Sequence, residues 1–478
     1  MKSSQKQQSH HIVLDVASKD VKDALSTLLL CKEQVKKVTS ADIILTSTNA
    51  NTTPTPSSSS DLMSSLLKDL GRLSALETLS IDLYTATDAT VTIRSLASLL
   101  KKATKLRCLH LKRLSLVKES GLECLRKFQK ATGKHPSLEH VTLEQLELLE
   151  MYDPEDGSRR FLYPFDKSAF CLPWSQLLSA IVRIESLKTL VLKDLYNLVD
   201  NDVVTLAHNI AFGSSANKLQ QLHLVSSVVG DIAAAGEAIS SMLLVNETIK
   251  SVTFDLGAYW EGCGSHVADA IRSNSHMQRL SLGLRGTADS VLQDVLNVAE
   301  ALQQSPFFYR DTISGTRLEH LDLYLKIKDD VPEAAILEAF QDALSHNESL
   351  GRLNLFVGRD DIKLPAAMKF QLDLNRFGLR GLFRYANQQE QKQPSEQDQL
   401  NALISHKNNI AIVFHIVSQN PSLCIQANLF TTNASAKTKL VRKFGLGPKS
   451  ESNSRKFVRR GENCSRRNKM LSFWAPSA

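Results

Sequence analysis

The chain has 478 residues, with 57 Lys and Arg against 50 Asp and Glu, which gives a formal charge of +7 at pH 7. Its 42% hydrophobic and 22% charged residues are typical of globular proteins, which excludes a wholly disordered chain. No apolar run approaches the ~20 residues that a membrane span needs. The length predicts two or three domains or one solenoid that grows along its axis.

The cysteine count and the polar start of the chain bear on the compartment. Seven Cys with no C-x-x-C pair predict neither a disulfide framework nor a structural zinc site. Met1–His11 is polar and is not followed by an apolar stretch of the length found in a signal peptide, so we expect no secretory signal. These features predict reduced thiols in a cytoplasmic or nuclear protein.

Residues 1–60 are predicted to form an N-terminal cap followed by a flexible insertion. The apolar run Ile12–Val16 precedes an amphipathic pattern with Val21 and Leu28, which would cover the first repeat of a solenoid. Thr46–Ser60 holds ten Ser or Thr and two Pro, a composition typical of a flexible segment. Asp61 then fits the N-cap of a helix.

Residues 61–360 contain a pattern L-x-x-L-x-L that recurs nine times. Six of the eight spacings between successive copies lie between 28 and 32 residues. The nine copies begin at Leu76, Leu106, Leu138, Leu187, Leu219, Ile249, Met277, Leu318 and Leu350. The alternation of apolar and polar places predicts half-buried strands, and most are preceded by a helical pattern such as Val267, Ala270 and Ile271. An α/β domain with accidental leucine spacing is the alternative, and nine copies disfavour it.

These strands, with helix–turn stretches such as HVADAIRSNSHMQRLSL, make the chain resemble the ribonuclease-inhibitor-like family of leucine-rich-repeat proteins. The resemblance covers roughly Asp61–Cys424. It implies an α/β solenoid, a horseshoe with a parallel concave sheet, convex helices and terminal caps, and it implies protein–protein interaction as the activity. Residues 361–430 would be the C-terminal cap and residues 431–478 a disordered basic tail.

The ninth place of the repeat departs from that family, which has Asn or Cys there. The residues at this place are Tyr84, Leu114, Leu146, Leu195, Ser227, Gly257, Arg285, Lys326 and Gly358. We therefore predict irregular turns without an asparagine ladder at this place.

No motif of catalysis is present. The sequence has no G-x-x-x-x-G-K-[ST], no G-x-S-x-G and no H-E-x-x-H, so we expect a non-enzymatic protein with no catalytic residue and no cofactor. Places three, five and seven of each strand should face the concave surface, where Cys108, His110 and His140 would lie close enough to share a zinc ion, with Glu144 nearby. The favoured alternative is that they are ordinary half-exposed polar residues, and we expect no metal site.

The concave face has mixed charge, with four acidic and four basic residues on the strands: Asp82, Glu144, Asp255, Asp322, Lys112, Lys193, Arg279 and Arg352. A nucleic-acid track would need one sign. Near the end of the solenoid, two adjacent strands bring together residue types that anchor protein partners: His320, Asp322, Tyr324, Arg352, Asn354 and Phe356. Contacts with the terminal segment near Phe370 are the alternative explanation.

Two loops rich in aromatic residues are predicted to project from one rim. Six of the 24 residues from Met151 to Trp174 are aromatic, including Tyr163 and Phe165. The second loop carries Tyr259 and Trp260, three strand spacings or roughly 15 Å away. They would form a second part of the partner site, unless the aromatics fold back as a satellite core.

The basic excess is confined to the tail. Residues 431–478 hold twelve Lys or Arg and two Glu, a local balance of +10, so the other 430 residues carry 45 basic and 48 acidic groups, or −3. Such a tail can contact nucleic acid or an anionic surface, or serve in nuclear import, or it is a solvated extension with no partner.

We conclude from the sequence that the protein is a monomeric, non-catalytic interaction scaffold or adaptor that uses its concave face and the aromatic rim. The partner is not implied. The alternatives are a GTPase-activating solenoid, which the absence of an acidic extension disfavours, and a nucleic-acid-associated regulator targeted by the tail.

Overall fold

The computed structural model describes residues 10–15, 38–44, 56–82, 90–118, 123–152, 160–162, 174–213, 218–257, 262–303, 318–327, 332–358 and 360–376. The chain divides into two units, Met1–Gln393 and Pro394–Ala478, and all the described residues belong to the first. The predicted cap beyond Arg376 and the basic tail 431–478 therefore lie outside the described residues, as does the helix predicted around Val21–Leu29.

The described part contains eighteen strands. In chain order they are β1 (His10–Asp15), β2 (Val38–Ile44), β3 (Thr78–Asp82), β4 (Thr90–Thr92), β5 (Cys108–Lys112), β6 (Ser115–Lys118), β7 (His140–Glu144), β8 (Glu147–Tyr152), β9 (Arg160–Leu162), β10 (Thr189–Lys193), β11 (Leu198–Val199), β12 (Gln221–Val225), β13 (Val228–Val229), β14 (Ser251–Asp255), β15 (Arg279–Gly286), β16 (His320–Ile327), β17 (Arg352–Val357) and β18 (Asp360–Asp361).

Ten helices are described as well. They are α1 (Pro56–Leu70), α2 (Ile93–Lys102), α3 (Glu123–Thr132), α4 (Trp174–Val182), α5 (Asp200–Phe212), α6 (Ile232–Val245), α7 (Cys263–Ser273), α8 (Ala288–Gln303), α9 (Glu333–His346) and α10 (Ala366–Arg376).

Twelve of the described strands form one sheet in the order β1-β2-β3-β5-β7-β10-β12-β14-β15-β16-β17-β18. Every neighbouring pair is parallel except β17 and β18, which are antiparallel. Short strands after the main ones form two further sheets, β4-β6-β8-β9 and β11-β13. Because strand order follows chain order, each repeat contacts mainly the repeats before and after it.

All nine predicted strands are confirmed. Each begins at the third place of L-x-x-L-x-L, and the apolar residues at the fourth and sixth places are buried, as Leu79 and Ile81 are in β3. Places three, five and seven of β3, β5, β7 and β10 are half-buried on the opposite side. We call that opposite side the open face. The alternation follows from the two-residue period of a strand.

The helices cover the other side of the sheet with their apolar faces. In α2, Leu96, Leu99 and Leu100 are buried, and the side chain of Thr92 caps the helix by accepting a hydrogen bond from the amide of Ser95 at 3.1 Å. The buried leucines of strands and helices form one continuous core along the described unit. Each fully buried Leu contributes about 1.5–3 kcal/mol relative to exposure.

The N-terminal region differs from the prediction in two respects. β2 adds a parallel strand between β1 and β3 that the sequence pattern did not indicate, because Val38–Ile44 lacks the leucine spacing. Helix α1 begins at Pro56 rather than after Asp61, so the end of the predicted flexible insertion is helical. Proline is well tolerated in the first turn of a helix, where its missing amide hydrogen has no partner to lose.

An asparagine ladder runs along the C-terminal ends of the helices. The amide nitrogen of Asn274 donates to the backbone carbonyl of Asn246 at 3.1 Å, and that of Asn375 donates to the carbonyl of Asn347 at 2.9 Å. The side-chain oxygen of Asn347 accepts from the amides of Ser349 and Leu350 at 3.0 and 2.7 Å. Asn246, Asn274 and Asn347 thus each join their own turn to the preceding repeat, and the ladder lies before the strands instead of at the ninth place.

His135 takes the corresponding position in the repeat of β7. Its Nδ1 accepts a hydrogen bond from the amide of Leu138 at 3.1 Å, and its Nε2 lies 3.1 Å from the carbonyl of Ala103. This arrangement requires a neutral ring with the proton on Nε2. Burial lowers the pKa of His135, and the hydrogen bond to Ala103 opposes that shift without reversing it.

The turns after three strands share one conformation, so the prediction of irregular turns is wrong for them. Arg113, Gln145 and Asp194 each follow a strand directly and have φ of 51°, 53° and 49°. The ninth-place residues behind them, Leu114, Leu146 and Leu195, are buried. Leucine burial helps to fix these turns, and at Leu195 the hydroxyl of Ser226 also accepts a hydrogen bond from the backbone amide and donates one to the carbonyl.

Replacing Asn347 should test the ladder. Asn347 is 0% exposed, and Asn347→Leu leaves the buried amide of Leu350, the part-buried amide of Ser349 and the carbonyl of Leu302 without their partner. We expect a loss of roughly 2–4 kcal/mol in the free energy of unfolding, measured by urea denaturation. Gln341→Leu, an exposed change on the same helix, is the matched control; equal loss in both variants would contradict this role.

The neutral state of His135 predicts a pH dependence. A histidine whose pKa is lowered on folding contributes stability above its unfolded value near 6.5, and that contribution is lost as the pH falls through the folded value. We expect the urea midpoint to fall from pH 7 to pH 5, and to fall less in His135→Asn, which keeps the acceptor and donor. His276→Asn, at an exposed site, serves as control and should keep the full pH slope.

Candidate functional site

The charges on the open face of β3 to β10 pair with one another across neighbouring strands. Glu144 lies between Lys112 and Lys193, with N–O distances of 3.1 and 2.8 Å. Burial would raise the pKa of Glu144, but hydrogen bonds from Lys193 and Lys112 outweigh it and the pKa is lowered. Asp82 is bound by the guanidinium of Arg113, with Nε 2.7 Å from Oδ1. This part of the face satisfies its own charges.

The zinc site considered for Cys108, His110 and His140 is not formed. Among the described residues, no group of three or more His, Cys, Asp or Glu side chains could hold a metal ion. Cys108 and His140 are neighbours across β5 and β7, but Glu144 is taken up by the two lysines. Burial raises the pKa of the Cys108 thiol, which disfavours the thiolate that zinc needs.

A buried carboxylate, Asp255, joins three strands near the middle of the sheet. It is 7% exposed, and its oxygens lie 3.2 Å from Nε of Arg285 and 2.7 Å from Nζ of Lys326. Burial acts to raise the pKa of Asp255, whereas Lys326 and Arg285 lower it more strongly. Gly283 lies beside this carboxylate, because a Cβ there would be 2.6 Å from Cγ of Asp255. The cluster is a structural tie that the sequence pattern did not reveal.

Strands β15, β16 and β17 bring together the predicted partner-binding residues that are described. Tyr324 and Phe356 face each other in register on β16 and β17, and their rings stack with centroids 4.7 Å apart and an interplanar angle of 6°. Tyr324 is 36% exposed, so one face of this aromatic pair remains available. Burial raises the pKa of Tyr324, with Asp322 adding to the shift. The tyrosine therefore stays neutral at physiological pH.

Asp322 lies two residues before Tyr324 and is held by neutral partners. Its carboxylate accepts hydrogen bonds from Oγ of Ser281 at 2.9 Å and from Nδ2 of Asn354 at 2.5 Å. Ser281 and Asn354 lie directly opposite it on β15 and β17. These hydrogen bonds hold the carboxylate between the two neighbouring strands. Among the described residues, Asp322 forms no ion pair that would neutralise its charge.

Arg279, His320 and Arg352 form a row across the starts of the same three strands. Both arginines are exposed, and neither forms an ion pair with any residue that the structure describes. Burial is the main cause that lowers the pKa of His320, and the charges of Arg279 and Arg352 lower it further. The charges of Glu319 and Asp322 act in the opposite direction. We call the six residues Arg279, His320, Asp322, Tyr324, Arg352 and Phe356 the β15–β17 patch.

The aromatic rim predicted from the sequence is not covered by the described residues. Tyr163, Phe165, Tyr259 and Trp260 lie outside the described residues, and the rim remains a prediction. Sequence reasoning counted Arg279 as a concave charge but did not include it in the partner site. The signal that could have found it is the shared third place of three consecutive repeats, occupied by Arg279, His320 and Arg352.

Comparisons with known proteins add little to this picture. No protein-family model matches the chain, and no curated protein matches it. A solved structure of the leucine-rich repeat-containing protein LegL7 from Legionella pneumophila is similar at 12% identity, covering 78% of this chain and 98% of that one, with a TM-score of 0.34. That likeness is too low to carry an argument. No helix in the described segments is long and apolar enough to cross a bilayer. The evidence for a repeated strand–helix architecture with leucines at fixed places is therefore the fold described above, not the likeness to another structure.

Proposed function

We propose that this protein is a non-catalytic leucine-rich-repeat scaffold, of the ribonuclease-inhibitor-like kind, that binds a segment of another protein on its open face. The horseshoe shape, the monomeric state and a cytoplasmic or nuclear location belong to the same proposal. The observation that carries it is a contrast within one sheet. Charges from β3 to β10 pair with each other, whereas the β15–β17 patch offers two unpaired arginines and an exposed aromatic stack.

The geometry of the patch favours an extended peptide with two anchors. Tyr324 lies four residues beyond His320 along β16, which corresponds to roughly 13 Å at 3.3 Å per residue. An extended peptide covers the same length in four residues, so an acidic group between Arg279 and Arg352 would place a side chain four positions away on the aromatic stack. Asp361, whose charge acts on Tyr324, disfavours a second acidic group at that end.

This proposal predicts a spacing. A library of displayed 12-residue peptides selected on the full chain should enrich Asp or Glu four positions from an aromatic or large aliphatic residue. Tyr324→Ala combined with Phe356→Ala should weaken a selected peptide by roughly thirtyfold, the effect of losing about 2 kcal/mol at a central anchor. Isothermal titration calorimetry gives the affinities.

The control is Tyr196→Ala combined with Phe212→Ala, which removes two exposed aromatic side chains elsewhere in the described unit. It should leave peptide affinity unchanged. Enrichment of peptides without the spacing, or equal loss in both double variants, would refute the two-anchor site.

The aromatic rim is proposed as a second contact region for the same partner. Exchanging Tyr163, Phe165 and Trp260 together for Ala should leave the melting temperature nearly unchanged and should weaken binding of a full-length protein that contains a selected peptide sequence. Differential scanning calorimetry decides the point, because a large drop in melting temperature would mean that these aromatics form a satellite core.

A further inference from the structure

The helix layer carries a local charge that the overall balance conceals. Residues 94–134 hold twelve Lys or Arg and two Glu, a net charge of +10, although the 430 residues before the tail sum to −3. This segment contributes helices α2 and α3, which pack side by side. A local excess of positive charge is therefore not confined to the tail, and the sum of −3 over the other 430 residues conceals it.

A groove of about 520 Å³ lies between α2 and α3. Six exposed cations line it: Arg94, Lys101, Arg126, Lys127, Lys130 and Lys134. Glu123 is the one acidic residue among the described lining residues, and it pairs with Lys127 at 3.5 Å. Among the described residues, Lys101, Arg126, Lys130 and Lys134 have no ion pair. The groove thus concentrates positive charge that the fold itself does not neutralise.

Helix stability explains only part of this charge. Lys101 and Lys130 lie in the last turns of α2 and α3, where a cation stabilises the helix dipole. Arg126 lies in the first turn of α3, where a cation is unfavourable for the same reason. Another groove on the helix layer, at α9, is lined by Glu338 and Asp342, so positive charge is not a general property of the layer. The α2–α3 groove therefore fits an anionic ligand.

We propose that the α2–α3 groove binds the phosphate backbone of a nucleic-acid duplex. A row of lysines and arginines without a carboxylate partner is the footprint of phosphate contacts, which need no base recognition. No Phe, Tyr or Trp is among the described residues that line the groove, and the ring of His135 is buried, which disfavours single strands, because those are held by stacking on exposed aromatic rings. The exposed large apolar residues of the described unit lie elsewhere, which disfavours an interfacial lipid site.

The test uses the full chain and fluorescently labelled 20-base-pair DNA and RNA duplexes, with binding followed by anisotropy at several salt concentrations. The groove variant is Lys101→Glu, Lys130→Glu and Lys134→Glu combined. The control variant, Lys218→Glu, Lys250→Glu and Lys369→Glu, changes three exposed lysines outside the groove by the same total charge. Because the basic tail is intact in every protein, differences between variants report on the groove.

We expect the groove variant to bind on the order of tenfold to a hundredfold more weakly at 100 mM salt, and its plot of log affinity against log salt to be shallower by about 3. The control should lose less than about threefold. A milder variant, Lys130→Gln combined with Lys134→Gln, removes charge without reversing it and replaces the triple variant if charge reversal perturbs folding. It should show the same trend. Equal loss in groove and control variants would overturn the proposal. So would a groove variant that loses binding to vesicles containing 30% phosphatidylserine but keeps duplex binding.

Discussion

The structure depends on one constraint: a single repeat of about thirty residues cannot bury its own leucines or satisfy its own turn. A strand such as β14 places Val252 and Phe254 inside, and these side chains are covered only when α6, α7 and the neighbouring strands are present. The turn before it is completed by Asn246, whose amide nitrogen lies 3.4 Å from the carbonyl of Ile210 in the preceding repeat. Apolar burial and polar satisfaction thus require the same neighbour, so the repeats stack in one register.

Stacking in register also determines which charged side chains become neighbours. In-register parallel strands place equivalent positions about 4.8 Å apart, so like charges at one place of consecutive repeats would repel and opposite charges attract. Lys112, Glu144 and Lys193 alternate at the seventh place, and Arg107, Glu139 and Lys188 alternate at the second. At the third place of β15, β16 and β17, by contrast, Arg279 and Arg352 lie on either side of His320 and no acidic residue shares that place. The proposed binding site rests on these unpaired charges.

The strands and most helices could be predicted because their signal is local. Leucine at the first, fourth and sixth places of nine segments specifies a half-buried strand without knowledge of its neighbours. β2 could not be found this way, since Val38–Ile44 has no leucine spacing and is a strand only because β1 and β3 pair with it. The asparagine ladder was missed for a related reason. The role of Asn274 and Asn347 depends on carbonyl groups in another repeat, which no pattern within one repeat indicates.

The site residues also divide into those with a local sequence signal and those that only packing brings together. The stack of Tyr324 on Phe356 was foreseeable from equal places in consecutive repeats, whereas the α2–α3 groove joins residues on two helices that only packing brings together. The two surfaces lie on opposite sides of the leucine core, and β5 and β16 are six strand spacings apart, roughly 29 Å. Neither ligand would obstruct the other, and a packed core between them disfavours local rearrangement. Binding energies at the two surfaces should therefore add without cooperativity, which is the behaviour of an adaptor that holds a protein segment and a polyanion on one rigid support.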